Sequence, residues 1–121
     1  EVPITLLDAV DKVDSGNIFL QEIMHFSGYE LVNELRSIQA KFTVELCKKF
    51  VNKYPKILDD GVKQMGKISS YKRRCRSDSR IYLDKTIRQQ FNLLRVVDND
   101  RYPAFFEHGG RKYKLSIQTM E

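Results

Sequence analysis

The sequence predicts an α+β fold that is mainly α, with four or five helices followed by a small C-terminal β-hairpin. Through most of the first 95 residues, apolar side chains recur every three or four positions, as they do on one face of a helix. Beyond residue 103 the pattern changes to strand-like segments on either side of Gly109-Gly110, a pair that favours a tight turn. With 121 residues, 41% of them hydrophobic, the chain is long enough for one core.

The first two helices are predicted over residues 4–14 and 18–26. Pro3 suits the start of the first helix, because proline is favoured where a helix begins. Ser15-Gly16-Asn17 separates the two helices as a turn.

The longest helix is predicted over residues 29–54 and is expected to be the central element. Its apolar stripe keeps a spacing of three or four throughout: Leu31, Leu35, Ile38, Phe42, Leu46, Phe50 and Tyr54. Pro55 ends it, because the residue before a proline disfavours the helical conformation. A fourth helix is predicted over 56–71, although Gly61 and Gly66 weaken it.

The C-terminal third is predicted to contain a polar connector, one more helix and the hairpin. The connector spans residues 72–80, and the helix spans 84–95 with an apolar stripe of Leu83, Ile87, Phe91 and Leu94. Asp84 is one candidate N-cap, and Thr86 with Gln89 has the spacing of a capping box as an alternative. A single domain over 1–121 is therefore predicted, with a helical part at 4–71 and the helix plus hairpin at 81–119.

The polar face of the last helix carries no carboxylate. Arginine, glutamine and asparagine side chains can make paired hydrogen bonds to base edges. The sequence therefore predicts a nucleic-acid recognition helix, and the alternative is an ordinary solvated face. The residues proposed to contact nucleic acid from this helix are Lys85, Arg88, Gln89, Asn92 and Arg95.

Two further basic segments are predicted to contact phosphates. They are the connector residues Lys72, Arg73, Arg74 and Arg76, and the hairpin residues Arg111, Lys112 and Lys114. A basic helix followed by a basic hairpin resembles the order found in winged-helix domains. In that resemblance Lys85 to Arg95 is similar in position to a recognition helix, and Ala104 to Ile117 is similar to a wing.

Charge is unevenly distributed along the chain, whose net charge is +5. Residues 1–40 hold seven acidic residues against two basic ones, whereas residues 41–121 hold nineteen basic residues against nine acidic ones. This asymmetry predicts an acidic partner for the second half, and nucleic acid, above all DNA, is the leading one. The alternative is a protein-interaction or dimerisation domain, in which an acidic protein surface or the acidic N-terminal residues of a second copy contact the basic half.

No catalytic, metal-binding or cofactor motif is recognised, so the sequence predicts a protein that is not an enzyme. His25 and His108 have no nucleophile pattern nearby, and Asp98-Asn99-Asp100 lacks the later glycine and glutamate of a calcium loop. No apolar run approaches the roughly 20 residues of a membrane span.

The two cysteines are predicted to be free thiols, Cys47 buried on the long helix and Cys75 in the basic connector. Free thiols favour an intracellular protein, and with the basic clusters a nuclear one. A Cys47–Cys75 disulfide would instead indicate a secreted helical ligand. Because the chain starts at Glu1 rather than Met, we expect an excised domain or a processed chain.

Overall fold

The computed structural model describes residues 1–120, which form two α-helices, two short 3-10 helices and four strands in two antiparallel hairpins. The prediction of a mainly α fold with four or five helices is therefore wrong, and the fold is α+β. The chain divides into two compact units. The first contains residues 1–27 and 35–69, and the second contains residues 28–34 and the chain from residue 70 onward.

The first hairpin replaces the helices predicted over 4–14 and 18–26. It pairs β1 (Val2–Leu7) with β2 (Ile18–Met24), and the register is interrupted between the last two residues of β1. Both strands are rich in β-branched and aromatic residues, which suit a pleated surface better than a helix. Thr5 and Gln21 face each other across the strands, and the glutamine amide donates a 2.8 Å hydrogen bond to the threonine hydroxyl.

Helix α1 (Val32–Lys53) confirms the long helix predicted over 29–54. In the first unit, its Leu46 is buried and its Phe50 ring lies 5.7 Å from the Phe19 ring of β2. Cys47 is exposed, so the prediction of a buried thiol is wrong, because the residue lies beside the apolar stripe rather than on it. Both cysteines are free, as predicted.

The prediction of a helix over 56–71 is also wrong. Only a single 3-10 turn forms, at Lys56–Leu58, with Ile57 buried at its centre. Val62 instead pairs with Ile18, through backbone hydrogen bonds of 2.8 and 2.9 Å. Gly66 takes a φ of +118°, a conformation incompatible with a right-handed helix.

The second unit is built around a core of Ile81, Leu94, Val97 and Ala104. Helix α2 (Ile87–Val96) supplies Leu94 and β3 (Ala104–His108) supplies Ala104. Phe106 of β3 and Leu115 of its hairpin partner β4 (Arg111–Leu115) pack against this core. Gly109 and Gly110 join the two strands with φ of +56° and +74°, which confirms the predicted tight turn.

Helix α2 begins at the second of the two predicted N-caps, Thr86, which forms a capping box with Gln89. The predicted apolar stripe is wrong in its first half, because Leu83 and Ile87 are 60% and 72% exposed. The inward position is instead occupied by Gln90, which is only 8% exposed. Its amide oxygen accepts from the Tyr82 N–H at 2.7 Å, and its amide nitrogen donates to the Tyr82 and Lys85 carbonyls.

Candidate nucleic-acid interface

The second hairpin has one face in the core and one face in solvent. Ala104 is fully buried, and Phe106 and Leu115 pack against the core from the same side of the strands. Since successive side chains alternate between faces, the opposite face carries Phe105 and Glu107 on β3. Their partners on β4 are Lys114 and Lys112, so two cations lie on the face turned away from the core.

A cleft of about 460 Å³ lies at this outer face, and we call it the outer cleft. Its four cationic residues come from three separate segments: the 3-10 helix Arg76–Ser79, the loop that contains Arg101, and β4. Asp100 is the one carboxylate among the lining residues of the cleft. The full lining consists of Arg76, Asp100, Arg101, Pro103, Phe105, Lys112, Tyr113 and Lys114.

The connector is held beside the hairpin by Ser79. This serine is fully buried, and its hydroxyl donates to the Tyr102 carbonyl at 2.8 Å while accepting from the Arg74 guanidinium at 3.1 Å. A few residues later, the Ile81 N–H donates to the Phe105 carbonyl at 2.7 Å. These bonds fix the backbone next to Arg76 and next to Arg101.

The loop before β3 is shaped by Asp98. Its carboxylate accepts hydrogen bonds of 3.0 Å from the backbone N–H groups of Asp100 and Arg101, as aspartate commonly does in turns. The Asp98 carbonyl also accepts from the Tyr102 N–H at 2.9 Å. The backbone that carries Arg101 is therefore ordered by several bonds.

Glu107 lies beside the outer cleft and offsets part of its positive charge. Its carboxylate lies 3.3 Å from the Arg80 guanidinium and 3.4 Å from the Lys112 ammonium. The Lys112 ammonium also lies 5.6 Å from the centre of the Phe105 ring. Lys114 donates to the Asn99 carbonyl at 2.7 Å, which leaves its full charge because a carbonyl is neutral.

Three of the α2 residues predicted to contact nucleic acid already make hydrogen bonds within the second unit. Gln89 is committed to the capping box, where its side-chain oxygen accepts from the Thr86 N–H at 2.9 Å. Asn92 accepts from the Arg95 guanidinium at 2.9 Å, and Arg95 also donates to the Glu30 carbonyl at 3.0 Å. The Arg95 side chain is only 16% exposed.

The other predicted contact residues of this region are exposed. Arg88 lies on the exposed side of α2, and the Lys85 ammonium lies 4.9 Å from the centre of the Tyr82 ring. Lys72 and Arg73 are exposed in the connector, and Arg111 is exposed at the hairpin tip. None of these five is among the lining residues of the outer cleft.

The structure thus brings together Arg76, Lys112 and Lys114 from the predicted set. It adds Arg101 and Phe105, which sequence reasoning did not single out. The alternation of β3 and β4 was a usable signal for Phe105, because it places this residue on the face of the two lysines. No linear spacing indicates Arg101, which lies 25 residues after Arg76 in the sequence.

Residues 1–120 contain neither a candidate metal site nor a helix able to cross a membrane. No group of three or more histidine, cysteine or acidic side chains in this range is placed to hold a metal ion. Likewise, neither α-helix in the described part is long and apolar enough to cross a membrane.

No protein-family model and no curated relative matches the chain. Among solved structures, the chain is similar to methionyl-tRNA formyltransferase from Clostridium thermocellum, with 21% sequence identity and a TM-score of 0.67. The likeness covers 99% of this chain and 51% of that chain, so this chain spans about half the length of the enzyme. At this identity the likeness shows a shared fold.

Proposed function

We propose that this chain is part of a formyltransferase and that its second unit binds a phosphate-bearing substrate of that enzyme. The observation that carries the proposal is the shared fold over 99% of the chain with an enzyme named for formyl transfer to methionyl-tRNA. Because the chain spans about half of that enzyme's length, we assign substrate binding to this chain and the transfer step to the protein as a whole.

The charge of the second unit supports a phosphate-bearing substrate. Residues 70–120 hold twelve lysines and arginines against five acidic residues. Four of these cations line the outer cleft, where they are joined by one carboxylate. Arginine is well suited to phosphate because its planar guanidinium offers two parallel hydrogen bonds.

A formylation assay tests the enzymatic part. The full-length protein is incubated with a formyl donor and either methionyl-tRNA or an amino sugar linked to a nucleotide, and each acceptor is analysed by mass spectrometry. We expect one of the two acceptors to gain the mass of one formyl group on its amine. The matched control is the same acceptor with its amine acetylated. If the protein binds an acceptor but leaves its amine unmodified with every donor, the formyltransferase proposal fails.

A non-enzymatic nucleic-acid-binding module, with DNA as the ligand, is the second candidate. It is favoured by Arg88 on the acid-free exposed side of α2, by Lys85 just before that helix and by Arg111 in the basic hairpin, all of which are exposed. If about four to six phosphates are neutralised, log affinity should fall with log salt with a slope of roughly −4 to −5.

Titrations of duplex DNA and of tRNA at two salt concentrations distinguish the candidates. Tight DNA binding with the expected salt slope and no formylation would favour the non-enzymatic module. Absence of binding to both nucleic acids at low salt would exclude it and would bring the protein-interaction hypothesis forward.

A further inference from the structure

We propose that the outer cleft binds the nucleoside diphosphate portion of a ligand. The phosphates contact the guanidinium groups of Arg76 and Arg101 and the ammonium group of Lys114, and the base stacks on Phe105. This inference rests on the proposed function in one respect, since it names the chemical class of the substrate that the second unit holds.

The dimensions and the charge of the outer cleft fit such a ligand. Its volume of about 460 Å³ lies within the range of small-molecule sites. Two guanidinium groups face one cavity, and neither Arg76 nor Arg101 has a side-chain hydrogen bond or ion pair with any residue in 1–120. Four cations share the cleft with a single carboxylate, that of Asp100, so a dianionic or trianionic group would relieve the remaining repulsion among them.

The cleft is ordered before any ligand arrives. Ser79 ties the turn containing Arg76 to the carbonyl of Tyr102, and the Asp98 carboxylate fixes the backbone N–H of Arg101. Both arginines therefore extend from backbone that is bonded within the second unit, and only their side chains have to become ordered on binding. Such preorganisation reduces the entropy lost when a ligand binds.

Phe105 gives the cleft an aromatic surface next to its cations. The ring is half-buried, and the Lys112 ammonium already lies 5.6 Å from its centre. The Lys112 side chain is 73% exposed, so it can move aside or onto a phosphate when a flat base approaches the ring. Stacking on an aromatic side chain is how proteins commonly hold bases without reading their edges.

The arrangement favours a single nucleotide over a long strand. The four cations surround one cavity and come from segments that meet there, rather than following a line along the surface. An extended polyanion would need contacts spaced along its backbone. A diphosphate brings its negative charge to one place, which matches a compact group of cations.

Isothermal titration calorimetry with uridine diphosphate and with inorganic pyrophosphate tests the inference. We expect Arg101→Ala to weaken both probes by about tenfold, because a charge-assisted hydrogen bond is lost from each complex. Phe105→Leu should weaken uridine diphosphate severalfold and leave pyrophosphate unchanged. Arg36→Ala is the matched control, since it removes the same charge from an exposed residue of α1 in the first unit, and it should change neither affinity appreciably.

Three results would overturn the inference. They are absence of uridine diphosphate binding by the folded protein, equal weakening by Arg36→Ala and Arg101→Ala, and a Phe105→Leu variant that binds both probes as the parent does. Circular dichroism of each variant confirms that it is folded. The formylation assay reports separately, because a protein that binds uridine diphosphate in this cleft but formylates no amine retains the inference and loses the proposed function.

Discussion

The two hairpins of this molecule have strands of similar length, but only the second could be predicted from its sequence. Strands β3 and β4 are joined by two glycines with positive φ, so the turn is encoded where it occurs. Strands β1 and β2 are joined by the ten residues 8–17, among which Asp14 also has a positive φ, of 55°. A short turn is specified by its own residues, whereas a long one depends on contacts made elsewhere in the fold.

Distant contacts do hold the long loop of the first hairpin. The Asp8 N–H donates to the Asn17 carbonyl at 2.8 Å and closes the loop at its base. The Gln64 amide donates to the carbonyls of Asp14 and Gly16 at 2.8 and 2.7 Å, from a position about fifty residues later in the chain. The sequence of residues 8–17 contains no pattern that predicts these hydrogen bonds.

The two hairpins need glycine for different reasons, and the largest effect is expected at Gly16 in the loop of the first hairpin. Gly16 is buried, and a Cβ at this position would lie 2.7 Å from the Asp8 carbonyl carbon and would overlap its oxygen. We expect Gly16→Ala to destabilise the first unit by about 3 kcal/mol, because the backbone of Asp8 would have to move. Urea denaturation, with hydrogen exchange of the β1 and β2 amides, measures the effect. An effect as small as that of the neighbouring Ser15→Ala would show that the crowding is relieved elsewhere.

The second-largest effect is expected at Gln90, which is buried in the second unit. Gln90→Leu removes the partners of the Tyr82 N–H and carbonyl, and we expect a loss of about 2 kcal/mol because these groups then lack hydrogen bonds. Arg88→Leu is the control, since Arg88 is exposed on the same helix. Urea denaturation of both variants gives the difference. Equal stability of the two would mean that water replaces the lost partners.

A smaller effect is expected at the tip of the second hairpin. Gly110 has a φ of +74° with open space around it, so Gly110→Ala should cost about 1 kcal/mol from backbone strain alone. Gly110→Asn should be nearly neutral, because asparagine tolerates this conformation. At Gly16, asparagine should be at least as damaging as alanine. Thermal unfolding of the four variants tests this contrast, which is lost if asparagine is equally tolerated at both positions.

Local signals account for the parts of the fold that were predicted correctly. The apolar stripe of α1, the capping box of Thr86 and Gln89, and the Gly109-Gly110 turn each lie within a few residues of the structure they specify. The prediction of helices over residues 4–26 failed because apolar positions three and four apart also occur by chance in strands. The β-branched residues, which favour strands, were given too little weight. The stripe predicted on α2 failed because a buried glutamine satisfied by backbone groups looks, in sequence, like a solvent-exposed residue.

The residues of the outer cleft likewise divide into those that local sequence predicts and those that distant contacts bring into place. Lys112 and Lys114 belong to a local hairpin, and their prediction as cations of one surface depended on nothing distant. The position of Arg76 beside Arg101 depends on the bond from Ser79 to Tyr102, which spans 23 residues. Whether the predicted residues bind nucleic acid stays a prediction.

The smallest expected effect lies in the connector that supports the outer cleft, at Asp78. The backbone N–H of Cys75 donates to this carboxylate at 2.7 Å and holds its pKa below the ordinary value, with help from the Cys75 side chain and from the charge of Arg74. Because the folded-state pKa is the lower one, the stabilisation is present above the unfolded-state pKa. It is lost as the pH falls through the folded-state value.

A carboxyl-detected NMR titration should therefore give Asp78 a midpoint below that of an unstructured aspartate, and Asp78→Asn should remove the corresponding pH dependence of the connector amides. The carboxylate is fully exposed, so we expect the change in global stability to be much smaller than at Gly16, Gln90 or Gly110. A midpoint at or above the unstructured value would mean that the turn at residues 75–79 is not closed in solution. In that case the hydrogen bonds of Ser79 alone would position Arg76, and Ser79→Ala should weaken pyrophosphate binding as strongly as Arg76→Ala does.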